Sequence, residues 1–114
     1  MRMNVAKSSP TQTLAFLLSL DPPFETEVED EESLDSLTHH RIMMIFADYF
    51  AANYRAFSEK QLRSLGQWLS DAVAAGGDLE NAVSTCFLEH MRQLKVNRAL
   101  APYLSKEAKG GTHA

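Results

Sequence analysis

Between Ser36 and Ala56 the chain holds neither proline nor glycine, and Leu37, Ile42, Ile45, Phe46, Tyr49, Phe50 and Tyr54 recur largely at spacings of three and four. Residues so spaced share a side only on a helix. The pattern predicts one long helix, about 30 Å at 1.5 Å per residue. No strand-like alternation, hairpin dipeptide or internal repeat occurs in the sequence, so the expected class is all-α. With 114 residues, one domain and one core are expected.

The breaks in the apolar pattern place the other helices. After Phe57, Ser58 can accept a hydrogen bond from a free N–H, and Gln61, three residues on, can reach back as its capping-box partner. So short a joint predicts two antiparallel helices side by side. The second would turn Leu62, Leu65, Leu69, Ala72 and Val73 inward, with Trp68 at the border. At Gly76-Gly77-Asp78 a glycine can close the helix in the left-handed conformation, and Asp78 can cap the next. A third helix is expected from Leu79, with Leu79, Ala82, Val83, Cys86, Phe87 and His90 inward and Leu88, Met91 and Leu94 widening that stripe. It should bend or stop near Val96-Asn97. A short terminal helix carrying Leu100, Tyr103 and Leu104 then starts beside Pro102, because proline is disfavoured in a helix interior.

Ahead of the bundle, Ser9 and Pro10 mark the start of a short helix with Leu14, Leu17 and Leu18 on one face. Pro22-Pro23 ends it, and the acids from Glu25 to Glu32 read as a solvated tether. The expected division is a leader helix and tether over 1–33, a small antiparallel helical bundle over 34–109 and a frayed tail over 110–114. The bundle has three main helices, with short helices at the two ends of the chain.

The formal charge of −4 is unevenly spread: residues 1–35 carry eight acids against Arg2 and Lys7, whereas the remainder has seven acids and nine bases. An acidic front suits a basic protein partner, since opposite charge accelerates encounter. A single cysteine, Cys86, excludes an intramolecular disulfide and fits a cytoplasmic setting. The apolar run Leu14–Leu20 is short and lacks a small-residue cleavage site, and no stretch approaches the ~20 apolar residues of a membrane span.

Chemistry-bearing residues are few. Cys86 and His90 are four apart on one helix face, so a thiol–imidazole nucleophile or half a metal site is conceivable. A packed thiol beside a hydrogen-bonded histidine is the simpler reading. His39 and His40 are adjacent and point about 100° apart on a helix, which keeps them from sharing one metal. None of the common phosphate-loop, dinucleotide, zinc-protease or nucleophile-elbow motifs occurs. The expectation is a non-enzyme without a cofactor or metal. Arg92, Lys95, Arg98, Lys106 and Lys109 form a basic cluster that could touch nucleic acid, although cations near helix C-termini also arise for stability. The rings Phe46, Tyr49, Phe50, Tyr54 and Phe57 are read as core, with a partner face as the alternative.

Leu79-Glu80-Asn81-Ala82-Val83 followed by Cys86-Phe87-Leu88-Glu89-His90 resembles the "NA…FLEH" signature of a bacterial family of small all-helical domains of unknown function. Asn81, Phe87, Glu89 and His90 match it, and the resemblance is densest over residues 78–104. It implies an all-helical fold, a bacterial source and an association with toxin and immunity neighbourhoods, with no catalytic residue to carry over. Asn81, Cys86, Phe87, Glu89 and His90 are accordingly expected to hold helix contacts. The expected function is protein binding, most concretely by an immunity-type inhibitor whose acids Glu27, Glu29, Asp30, Glu31 and Glu32 meet a basic toxin or enzyme. The alternatives are a nucleic-acid-associated regulator using the basic cluster and a thiol or metal enzyme using Cys86 and His90. No membrane partner is expected, and the oligomeric state stays open.

Overall fold

Local hydrogen bonds set where the helices begin. In the computed structural model, which describes residues 9–29, 38–94, 97–105 and 108, α1 runs Pro10–Leu20, α2 Glu25–Glu29, α3 His39–Asn53, α4 Glu59–Ala75, α5 Gly77–Ala82 and α6 Glu89–Leu94. A π-helical segment at Val83–Leu88 and single 3₁₀ turns at Pro22–Phe24, Tyr54–Ala56, Asn97–Ala99 and Ala101–Tyr103 complete the order. Ser9 and Gln12 form a reciprocal capping box at α1, and Ser58 and Gln61 repeat it at α4. Thr38 caps α3 by accepting from the Arg41 N–H at 3.1 Å. Gly76 and Gly77 both lie at positive φ, 76° and 82°, a region that suits glycine. They break the chain so sharply that Asp78 falls inside the first turn of α5 and makes no cap.

The architecture is an all-α bundle, its core an aromatic layer. Phe24, Phe46, Phe50 and Phe87 are fully buried. Phe46 lies 5.6 Å from Phe87 and 5.1 Å from Phe24, stacked on the first and edge-on to the second. Around the rings pack Leu17, Ile42, Met43, Leu65, Leu69, Val83, Met91 and Leu100. This layer also corrects the expected pairing of α3 with α4. The two helices meet closely at few points, and α3 packs chiefly on residues 77–88. Phe57 wedges edge-on against Phe50 at 5.0 Å in the joint, and rings of this size keep the helix axes apart.

The expected tether also differs over the part that is described. Phe24 and Val28 are buried, and α2 rests on α3. A charged segment can dock when two apolar residues four apart share a helical face, and here Glu25 and Glu27 lie off that face, the Glu29 side chain lying outside the described ones. Glu25 and Glu27 are exposed on α2. Asp30, Glu31 and Glu32, Leu37, the tail over 110–114 and the bases Lys95, Lys106 and Lys109 lie outside the described residues. α1 is pinned in cis: Thr13, Leu14 and Leu17 are buried, and Phe16 stacks on Trp68 with centroids 4.9 Å apart.

A polar node closes this end. The Tyr49 hydroxyl donates to Asp21 Oδ2, while Gln61 Nε2 donates to the Leu20 carbonyl at 2.9 Å and to Asp21 Oδ1 at 3.2 Å. Burial, followed by the hydrogen bond and charge of Asp21 and the charge of Glu27, pushes the Tyr49 phenol up to about 12 from 10.0. The unfolded chain therefore releases this proton first, and stability should fall as pH rises from about 10 to about 12. In absorbance titration one of the three tyrosines should ionise late, and earlier in Asp21→Asn. Three tyrosines titrating together would contradict the node.

The C-terminal segment crosses α4. Pro102 occupies a 3₁₀ turn, and Ser70 Oγ accepts from the Ser105 N–H at 2.8 Å while donating to the Gly66 carbonyl at 2.8 Å. Leu100 and Ala108 are buried against the core.

Candidate functional site

One helix register carries the site. Residues Val83–Leu88 form a π-helical segment between α5 and α6, in which the Glu89 N–H reaches back to the Ser84 carbonyl. Such a widened turn takes up one more residue than an α turn, so the side chains beyond it face a different way. The expected inward stripe consequently shifts. Leu79, Ala82, Val83, Phe87, Leu88 and Met91 are buried, whereas Cys86 and His90, expected inward, sit half-exposed at the edge. Leu94, expected to widen the stripe, is 47% exposed.

At that edge a cleft of about 380 Å³ opens between α3 and residues 85–93, lined by Met44, Asp48, Thr85, Cys86, Glu89, His90 and Gln93. Met44 is 48% exposed and presents its thioether at the cleft. His90 Nε2 lies 3.4 Å from Asp48 Oδ1, with the two side chains 36% and 80% exposed. Burial pushes the Cys86 thiol above its ordinary value, which keeps it protonated at neutral pH. A nucleophilic cysteine needs the opposite shift. Among the described residues, no three His, Cys, Asp or Glu side chains are placed to hold a metal ion.

The other motif residues are scattered. Asn81 Nδ2 donates to His40 Nε2 at 3.2 Å, joining α5 to α3, and the Asn81 side-chain Oδ1 accepts from the Thr85 hydroxyl at 3.4 Å. His39 Nδ1 instead meets the buried Thr13 hydroxyl at 3.1 Å. The adjacent histidines thus serve different neighbours, α1 and α5. Phe87 belongs to the aromatic layer, and Glu89 to the cleft. Of the acids assigned to partner binding, Glu27 is exposed on α2, far along the chain from the cleft residues. Arg92 and Arg98 are exposed.

Sequence reasoning paired Cys86 with His90 but did not single out Met44, Asp48 or Thr85. The available signal was Met44 itself, an apolar residue off the Ile42–Phe46–Phe50 face, with Asp48 one turn beyond it. No helix among the described residues is long and apolar enough to cross a membrane. Compared with family models, with curated proteins and with solved structures, the chain matches none.

Proposed function

We propose that this chain is a non-enzymatic protein-binding module that receives its partner at the cleft between α3 and residues 85–93. The observation that carries this reading is the cleft itself: a half-exposed methionine ringed by polar side chains beside a thiol that burial keeps protonated. Such a surface gives a partner an adaptable apolar contact and a hydrogen-bonding rim, and it lacks an activated nucleophile. The π turn supports it, since a turn that departs from the α ladder is frequently kept at functional sites.

The finer reading, an immunity-type inhibitor of a bacterial toxin, is supported by the motif resemblance and by the exposed acids Glu25 and Glu27, which favour encounter with a basic target. The test is affinity capture, followed by titration calorimetry of the captured protein against three forms of the chain. Met44→Arg fills the cleft from inside and should weaken binding about tenfold, or ~1.4 kcal/mol. Lys60→Glu, on the exposed face of α4, should leave the affinity within about twofold at moderate salt. Equal affinities for wild type and Met44→Arg would refute the assignment of the cleft.

A further inference from the structure

Resting on that reading, we infer that the cleft is a receptor for a single arginine side chain presented by the protein partner. Its lining includes two carboxylates, Asp48 and Glu89, and neither lysine nor arginine. Asp48 shares one oxygen with His90 at 3.4 Å, a long contact that leaves the carboxylate well able to accept more. Among the described residues the Glu89 carboxylate has no hydrogen-bond or ion-pair partner. The two acids come from facing elements, α3 and α6, so a cation entering between them meets negative charge from both walls.

The remaining lining selects among cations. Met44 and Cys86 supply polarizable, weakly polar surface, while Thr85 and Gln93 add acceptor oxygens. A guanidinium is flat, weakly hydrated and carries five N–H donors spread in a plane, so it can lie against sulfur while its edges reach carboxylates on either side. An ammonium is a compact, strongly hydrated point charge and gains less from the apolar part. A cleft of about 380 Å³ has room for the whole side chain, including its methylene stem against Met44. The partner is thereby specified by chemistry: a protein that projects an arginine from a convex surface.

The experiment uses the full chain and Nα-acetyl-arginine amide as the probe, followed by NMR at the Met44 methyl and the His90 ring. Saturable shifts with a dissociation constant in the range of about 1–50 mM are expected, as suits one exposed charged contact. Nα-acetyl-citrulline amide, of nearly the same shape but neutral, should produce no saturable shift. Nα-acetyl-lysine amide should bind at least about threefold more weakly than the arginine probe. The double variant Asp48→Asn, Glu89→Gln should reduce arginine binding about tenfold with its dispersion of signals unchanged. An absence of saturable shifts with arginine, equal binding of citrulline or lysine, or an undiminished affinity in the double variant each overturns the inference. If Met44→Arg abolishes partner binding while the arginine probe fails, the cleft stands as the partner site and only the identity of its occupant is wrong.

Discussion

Replacing Phe46 with alanine is expected to lower the unfolding free energy by about 4 kcal/mol and Tm by roughly 15–20 °C. Phe46 is fully buried, and its ring meets four others: Phe24 from the turn after α1, Tyr49 and Phe50 from its own helix, and Phe87 from the π segment. Truncation removes the transfer free energy of the ring and leaves a void that three separate elements would have to move to fill. Each well-placed aromatic pair adds roughly 0.5–1.5 kcal/mol beyond the buried area. For a domain whose whole stability is of the order of 5–15 kcal/mol, that loss is a large share. Phe46→Leu should recover about half of it, since it leaves a smaller void. Tyr54→Ala, at the half-exposed rim, should cost only about 1 kcal/mol. Urea titration of the three variants gives the ranking, and a Phe46→Ala loss below about 1 kcal/mol would show that the ring layer is not the centre of the core.

The second large effect is expected at Gly66, in the middle of α4. In an exposed helix, alanine in place of glycine usually stabilises by about 1 kcal/mol. Here the opposite sign is expected. A Cβ at residue 66 would stand 2.4 Å from Tyr103 Cβ, 2.7 Å from the Tyr103 carbonyl oxygen and 3.0 Å from its carbon, and two of these are backbone atoms that cannot swing away. The glycine is therefore present because the C-terminal segment lies directly on the helix. Gly66→Ala should destabilise by about 2 kcal/mol, and that figure is bounded because the crossing segment can lift off instead of straining α4. Hydrogen exchange distinguishes the two ways of relieving the clash. The Ser105 amide, which donates to Ser70, should lose protection in Gly66→Ala well before the amides of α3 do. A stabilised variant with Ser105 still protected would refute the close approach.

The starts of α1 and α4 were legible because capping is local chemistry, whereas the start read at Leu79 with Asp78 as its cap fell instead at Gly77. Ser9 with Gln12 and Ser58 with Gln61 satisfy free N–H groups within one turn, whatever the rest of the chain does. The burial of Phe46 and Phe50 was legible for a related reason, a 3.6-residue period with no breaker inside it. The candidate site was half legible. The spacing of Cys86 and His90 placed them together, but which way they faced could not follow from an α-helical wheel once the turn between them was π. Met44 and Asp48 look like ordinary exposed positions until α6 is laid beside them. Phe24 and Val28 were hidden within a glutamate-rich run whose average character pointed to solvent.

By itself, then, the sequence determined an all-α chain, the starts of α1 and α4 and the ring-bearing face of α3, since each depends on residues within a turn or two of one another. Only the tertiary structure decided that α1 and α2 join the core, that the chain after Leu100 crosses Gly66, and that Asp48 meets His90 across a cleft. Those contacts join residues far apart in the chain, Phe24 to Phe46, Gly66 to Tyr103 and Asp48 to His90, and they are set by how large buried rings space the helices, which periodicity along a single segment does not encode.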